Sequence, residues 1–469
     1  MNIYIPVEVK VRELEGKTLL ALAAAERGHT VIIGGKEDTL GLARRGMLKP
    51  GIVHDKSLTP SSAKLEALRE LNDGGHVVTS QDEENGLLEV SYERFARLRY
   101  SKETCAMAGR ILCWGSHDAQ GVRNLCGPDA PNTIVATGSP RVDLWRREFS
   151  EYYKRTEHLT TGKLGDYVLV SSNLGVMLDF RPFWEEISHL REKYSRDGGE
   201  LFDEDVEYAY YKEAGWLTCL LSEFIRMIRA LAVSEPELRI VVRPHPVEIE
   251  EGWRVLIGDY PNVIVTKEGP INRWIRGAKA LIHNGCTSGF EAAISGVPRI
   301  AYAPIPSEFE QVVPNTVSYR AESLEALLTA VRTVSHGDSL DIHPHKQAEE
   351  EALLRDLFAN LDGPLAVDRI VDQWEQLATP SLEQANDWAR LRRVVLSRRL
   401  KSGVGWALAG LRLRRRRSGR WKSVTKHKYP IISDVEMQTM VTDFKSCLGR
   451  FDGVVCERLA ERSFTFRRA

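Results

Sequence analysis

Cysteine is scarce and scattered in this chain of 469 residues. Its seven cysteines (Cys105, Cys113, Cys126, Cys219, Cys286, Cys447 and Cys456) form no CxxC pair and have no histidine at metal-ligand spacing. That argues against a zinc site and a disulfide framework, and for a reducing cytoplasm. No apolar run approaches the ~20 residues that would span a bilayer. The opening Met1-Asn2-Ile3-Tyr4-Ile5-Pro6 has no basic n-region and no cleavage site, so it is expected to be a first strand and not a signal peptide. No internal repeat is evident. Acidic residues are missing from one long stretch: from Arg390 to Ser433 there are fifteen Lys or Arg and no Asp or Glu, leaving 49 basic against 65 acidic residues elsewhere. The net charge of −1 therefore conceals a basic tail on an acidic body.

What is present reads as an ordinary water-soluble composition, 43% apolar and 28% charged, in a chain long enough for two or three domains. Strand and helix patterns alternate. Strands are expected at Asn2 to Ile5, Thr30 to Ile33, Gly51 to His54, His76 to Thr79, Arg110 to Trp114 and Thr133 to Ala136, with helical runs between them. A polar stretch follows, and a fresh apolar strand begins at Tyr167. The expected fold class is α/β, with two doubly wound, mainly parallel sheets of the GT-B kind facing across a cleft. Expected boundaries are 1–150 for the first domain, 165–378 for the second and 379–469 for a helical basic tail returning toward the first. In that tail Trp406 to Leu413 places apolar and aromatic side chains beside the run Arg414 to Arg417. This suits attachment to an anionic inner-membrane surface, at about 1 kcal/mol per nearby cation. A solvated helical face or a nucleic-acid arm would look alike in sequence; no nucleic-acid partner is expected.

Four motifs carry chemistry. The first is His283-Asn284-Gly285-Cys286-Thr287-Ser288-Gly289-Phe290-Glu291, a strand joined to a helix by a polar, glycine-bearing elbow with Thr287 or Ser288 as the expected N-cap. Free amides and the positive end of the helix dipole would meet there and favour a phosphate. An ordinary capped turn has the same sequence features. The second is Arg243-Pro244-His245-Pro246, where the prolines stop the strand Arg239 to Val242 and hold Arg243 and His245 at its carboxyl end. A capping or buried histidine is the plainer reading of a lone His-Pro. Ser171-Ser172-Asn173 is the third, a short polar loop at a strand end. The fourth is Gln81-Asp82-Glu83-Glu84-Asn85-Gly86, whose three carboxylates are expected to repel one another, raising the pKa of at least one toward use as acid, base or nucleophile. A solvated acidic loop is the bland counterpart.

Together with Ile5-Pro6-Val7-Glu8-Val9-Lys10-Val11-Arg12-Glu13 and Thr137-Gly138-Ser139-Pro140-Arg141-Val142-Asp143, these motifs resemble the bacterial surface carbohydrate biosynthesis proteins, which are similar to the retaining Kdo transferases of capsule and O-antigen assembly. The match runs over roughly residues 1 to 335, with a weaker echo at Lys426 to Pro430. The resemblance implies a CMP-activated 2-keto sugar acid as donor and a glycan or glycolipid acceptor. It implies that His245, Pro246 and the Asn284, Gly285, Thr287, Ser288, Gly289 elbow hold the single phosphate, with Arg243 and the Ser171, Ser172, Asn173 loop in support. Glu291 would reach the ribose hydroxyls, and Asp82, Glu83 or Glu84 would act on the sugar. Arg12 or Lys10 would pair with the sugar carboxylate, a reading from charge complementarity. Asn85 stands before Gly86 where the family has a simpler acidic-acidic-Gly pattern, which leaves open which carboxylate takes the catalytic position.

No cofactor is expected. The one DxD match, Asp203-Glu204-Asp205, follows no apolar strand and reads as solvated surface, so the reaction is expected to need no metal. A CDP-glycerol-type polyol-phosphate transferase and a non-hydrolysing UDP-sugar 2-epimerase share the fold and remain rivals. A third is a non-catalytic nucleotide binder, against which intact Asp82, His245 and Ser288 argue.

Overall fold

The protein is described by a computed structural model that covers the chain apart from residues 88–91, 128–132, 158–163, 196–202, 341–343, 378–385 and 387–428. The segment Trp406 to Arg417, expected to meet a membrane surface, lies outside the described residues. Among the described residues no helix is long and apolar enough to cross a membrane.

Two compact units emerge, one drawn from residues 1–144 and 355–469 and the other chiefly from 145–354. Each is built on one sheet. The first sheet has eight strands in the order β13-β14-β2-β1-β3-β4-β5-β6. Its parallel part comprises β1 (Asn2–Val7), β2 (Thr30–Gly35), β3 (Ile52–Asp55), β4 (Val77–Ser80), β5 (Arg110–Cys113) and β6 (Ile134–Ala136). The second has six strands, all parallel, ordered β12-β11-β10-β7-β8-β9. These are β7 (Tyr167–Ser171), β8 (Arg239–Arg243), β9 (Val263–Val265), β10 (Ala280–His283), β11 (Arg299–Tyr302) and β12 (Tyr319–Ala321). The α/β expectation of two parallel-sheet domains is met. Central strands such as Tyr167–Ser171 and Ala280–His283 are buried along their whole length, as near-continuous apolar runs covered on both faces must be.

The boundaries differ from those expected. The second unit closes at Leu354 instead of 378, because the helix Ala366–Gln376 packs on the helix Lys10–Glu26 of the first unit. Nor is the chain's end simply helical. After the helix Asp434–Leu448 come β13 (Val454–Ala460) and β14 (Ser463–Arg468), an antiparallel pair, and β14 adds antiparallel to β2. Phe464 and Phe466 are fully buried with Thr465 between them, a period-two signal that covers the sheet's β2 edge.

Two helix starts have local causes. The helix Lys10–Glu26 begins where it does because Glu13 in its first turn accepts from the Glu8 and Val9 N–H groups and satisfies the entry. The helix Glu204–Ser234 is capped by Asp203, its carboxylate accepting from the Val206 N–H at 2.9 Å. Glu204 and Asp205 then sit on the positive end of the helix dipole, which accounts for the acidic run without a metal.

Candidate functional site

In the second unit β10, β7 and β8 are neighbours, so the loops that follow them lie side by side at the carboxyl end of the sheet. That is where doubly wound sheets bind ligands. The structure thus brings Ser171, Ser172 and Asn173, then Arg243, His245 and Pro246, then Asn284 to Ser288 together along one edge. Two side chains bind these loops to one another. Asn284 accepts from the Asn173 N–H at 3.1 Å and donates to the Asn173 carbonyl at 3.3 Å. Glu248, with no exposed surface, accepts from the Ser172 hydroxyl, from the Leu174 N–H at 2.7 Å, from the His245 N–H at 3.2 Å and from Trp253 Nε1 at 2.7 Å. Sequence reasoning missed Glu248. Its one signal was a carboxylate three residues beyond His245.

His245 is half-buried, and its Nδ1 accepts from the Val247 N–H at 3.4 Å. In the neutral ring this puts the proton on Nε2, which makes that atom a donor. Arg243 is committed differently from the expectation. Its guanidinium donates to the carbonyls of Glu268 and Gly269, each at 2.7 Å, and stacks over Trp274 at 5.3 Å. Burial lowers its pKa to about 10. It holds the loop 266–270 and has little left to offer a phosphate. Pro246 is exposed, and its carbonyl accepts from Lys267 Nζ at 3.1 Å.

The elbow is as tight as expected but capped otherwise. The helix runs Ser288–Ser295, Thr287 stands at the N-cap in αR geometry, and no side chain caps it. Backbone carbonyls meet the first-turn N–H groups instead: Gly289 donates to Cys286 at 3.0 Å, and Phe290 and Glu291 donate to Thr287 at 3.1 and 3.2 Å. Gly285 has φ +93°, and a Cβ there would lie 2.7 Å from Gln311 Cβ and 2.9 Å from its carbonyl oxygen, so glycine is demanded by backbone and neighbour alike. Gly289 serves packing: a Cβ would lie 2.9 Å from His283 Cε1. His283 itself is fully buried, accepts from the Gly285 N–H at 3.1 Å and lies 2.9 Å from Ser318 Oγ, and desolvation lowers its pKa to about 3. Ser288 and Ser171 both contact the Cys286 thiol, whose pKa is raised by burial. Glu291 does not face outward toward a ribose. It is 3% exposed, and Asn272, with its amide nitrogen turned toward it, donates to Oε2 at 2.5 Å.

In the first unit the loops after β1, β3 and β4 likewise converge, with the start of the helix Lys10–Glu26 among them. Here the carboxylates do not repel one another unpaired. Asp82 is buried and accepts from Arg99 Nε at 2.8 Å, Arg99 Nη2 at 3.0 Å and the N–H groups of Glu84 and Asn85 at 2.8 and 3.2 Å. It organises its own turn, in which Asn85 and Gly86 have φ of 48° and 56°. Glu83 pairs with Lys17 at 3.2 Å and Glu84 with Arg12 at 2.7 Å. Burial, the largest single influence, works to raise the Glu84 pKa, but Arg12, Arg141, Lys56 and Arg99 together outweigh it, so Glu84 goes down, opposite to the expectation for the cluster.

Arg12 is thus engaged, and Lys10 pairs with Glu436 at 2.7 Å; neither waits as an unpaired cation for a sugar carboxylate. The residue unforeseen here is Lys17. It is 4% exposed and donates to the Pro6 carbonyl at 2.9 Å and to Glu13 at 2.8 Å besides Glu83. Desolvation pulls its pKa down, but Glu13 and Glu83 more than restore it and hold it above the usual lysine value. Glu13, pushed up by burial and down by Lys17 and Lys56, ends at about 2. Among the described residues no cluster of His, Cys, Asp or Glu has the arrangement to hold a metal ion.

No family profile and no curated protein matches the chain. Solved structures do resemble it in fold. The UDP-GlcNAc 2-epimerase from Neisseria meningitidis, bound to UDP-GlcNAc, is 11% identical with a TM-score of 0.44, over 81% of this chain and 100% of that one. The UDP-GlcNAc 2-epimerase from Methanocaldococcus jannaschii, with UDP-GlcNAc and UDP, is 12% identical with a TM-score of 0.44, over 80% and 100%. The wall teichoic acid polymerase TagF is 11% identical with a TM-score of 0.44, over 80% and 88%. These likenesses concern the course of the chain and not the chemistry at its loops.

Proposed function

We propose that the protein is a glycosyltransferase of surface-glycan synthesis that moves a 2-keto sugar acid from a CMP-activated donor to a glycan or glycolipid acceptor, without a metal. The observation that carries this reading is the clamped loop set of the second unit. Glu248 and Asn284 fix three strand-end loops side by side, which puts His245, with its Nε2 proton, in one loop set with the glycine-bearing elbow that opens the helix Ser288–Ser295. With Arg243 spent on backbone carbonyls, the set offers little positive charge, which suits one phosphate better than two. In the transfer, the bond from the sugar's anomeric carbon to the CMP phosphate oxygen breaks, the acceptor oxygen bonds to that carbon, and the acceptor's proton passes to a base. Of the three carboxylates in the first unit, Asp82 is used up by its turn, so Glu83 takes the part of base or nucleophile, with Lys17 setting its position. Attachment to an anionic membrane surface through the basic segment 390–433 belongs to the same reading.

The two rival readings differ in the nucleotide. A thermal-shift panel of CMP, CDP, UDP, UMP and GDP, each with Mg²⁺ and with a chelator, separates them, because a ligand raises stability by mass action. Stabilisation by CMP, equal with and without Mg²⁺ and lost in His245→Ala, is the expected result, while Glu83→Gln keeps the shift and loses turnover. Preference for UDP would replace the reading with UDP-sugar epimerisation, and preference for CDP with polyol-phosphate transfer.

A further inference from the structure

The second unit has a half-open cavity of about 210 Å³ that Asn173 and Asn284 of the strand-end loops line together with residues from outside the four motifs. That is below the ~300–1,000 Å³ of sites for drug-sized ligands. It suits one ring-sized group. Two kinds of side chain line it. Phe183 and Tyr210 stand parallel with centroids 6.0 Å apart, and Trp216 is fixed by its Nε1 donating to the Ile305 carbonyl at 3.1 Å. The carboxyl-bearing residues Asp179, Glu186 and Glu213 line the cavity as well. The sole cation of the lining, Arg181, is paired to Glu186. Interleaved in sequence with the lining residues, Met177, Phe180 and Trp184 are 63%, 59% and 69% exposed. An apolar surface of that kind beside a polar cavity marks a binding face.

We propose that this cavity binds a neutral sugar residue of a glycan, with the adjoining residues of that glycan lying over Met177, Phe180 and Trp184. A pyranose ring presents C–H groups on its faces and hydroxyls around its edge. Aromatic side chains match the first, and carboxylates and amides match the second. The charge balance decides against other occupants. Three carboxylates against one paired guanidinium repel a phosphate, a sugar acid or an anionic lipid headgroup. The ring positions are set before any ligand arrives, since Trp216 and the Phe183–Tyr210 pair are already held, and less side-chain entropy is lost on binding. Naming this glycan as the acceptor rests on the transferase reading. The binding itself does not.

The test uses the full-length protein and saturation-transfer NMR against soluble neutral, amino and uronic-acid-containing oligosaccharides, with phosphatidylglycerol vesicles as a separate arm. Expected is binding of neutral oligosaccharides, weakened about tenfold by the isosteric Glu213→Gln and by Tyr210→Ala, with any nucleotide-induced thermal shift unchanged in both variants. Glycan binding without a CMP shift would leave this proposal standing and remove the transferase reading. The proposal is overturned if no oligosaccharide binds, if acidic ones bind in preference, if the variants abolish a nucleotide shift, or if Trp184→Ala releases the protein from vesicles while sugars never bind.

Discussion

The two sheets end in loops at the same topological place and fill them with opposite chemistry. At the carboxyl ends of β1, β3 and β4 the first unit gathers charges of both signs and satisfies them internally: Lys17 with Glu13 and Glu83, Arg12 with Glu84, Arg99 with Asp82. At the ends of β7, β8 and β10 the second unit gathers amides, hydroxyls and one histidine, and ties them with a single buried carboxylate, Glu248. Charges taken from water need partners of opposite sign, whereas neutral donors need only an acceptor. The first arrangement is therefore a network that fails when one member goes, and the second a frame held by one central acceptor.

The contrast is sharpest in two substitutions. Lys17→Met leaves Glu13 buried without its main partner and is expected to cost about 3–5 kcal/mol. Glu248→Gln keeps an acceptor toward Ser172, His245 and Trp253 but turns an amide toward the Leu174 N–H, and should cost about 1–3 kcal/mol. Denaturant unfolding of both variants measures the difference. Equal costs would dissolve the distinction between network and frame.

Acidification tests a feature the units share. His54 in the first and His283 in the second are buried, and desolvation lowers the pKa of both to about 3; His76, also buried in the first, is lowered by the same cause. The unfolded chain then binds protons that the folded one does not, so stability falls as pH drops below the unfolded value near ~6.5, by about 2 kcal/mol per histidine at pH 5. Further loss follows as pH falls through the carboxylate range toward 2, where Glu13, held at about 2, finally loses its charge and with it the stability that is fully present above the unfolded glutamate value. Thermal melting from pH 7 to pH 2 reads both steps; a melting temperature flat between pH 7 and pH 5 would contradict the histidine assignment. The smallest expected effect compares two helix starts. Asp203→Ala removes a capping bond and should cost about 1 kcal/mol, whereas Thr287→Ala removes none and should cost well under that.

The sequence by itself determined the alternation of strands and helices, because buried parallel strands such as Ala280–His283 are continuous apolar runs closed by polar or proline-bearing turns. It also determined that Ser172, His245 and Asn284 stand at strand ends, and that Gly285 belongs to a tight elbow. What it could not carry is which side chain meets which. Asp82 and Arg99 are 17 residues apart, Lys17 and Glu83 belong to different elements, and Arg243 spends its donors on carbonyls 25 and 26 residues on. Local pattern reports whether a residue is apolar and on which face it repeats, while the pairing of a buried charge depends on strand order and loop course. Only the tertiary structure decided that Asp82 and Arg243 serve the fold and that Glu248 and Lys17 lie at the heart of the two sites. The reason is that the free energy of a buried polar group is set by its neighbours in space.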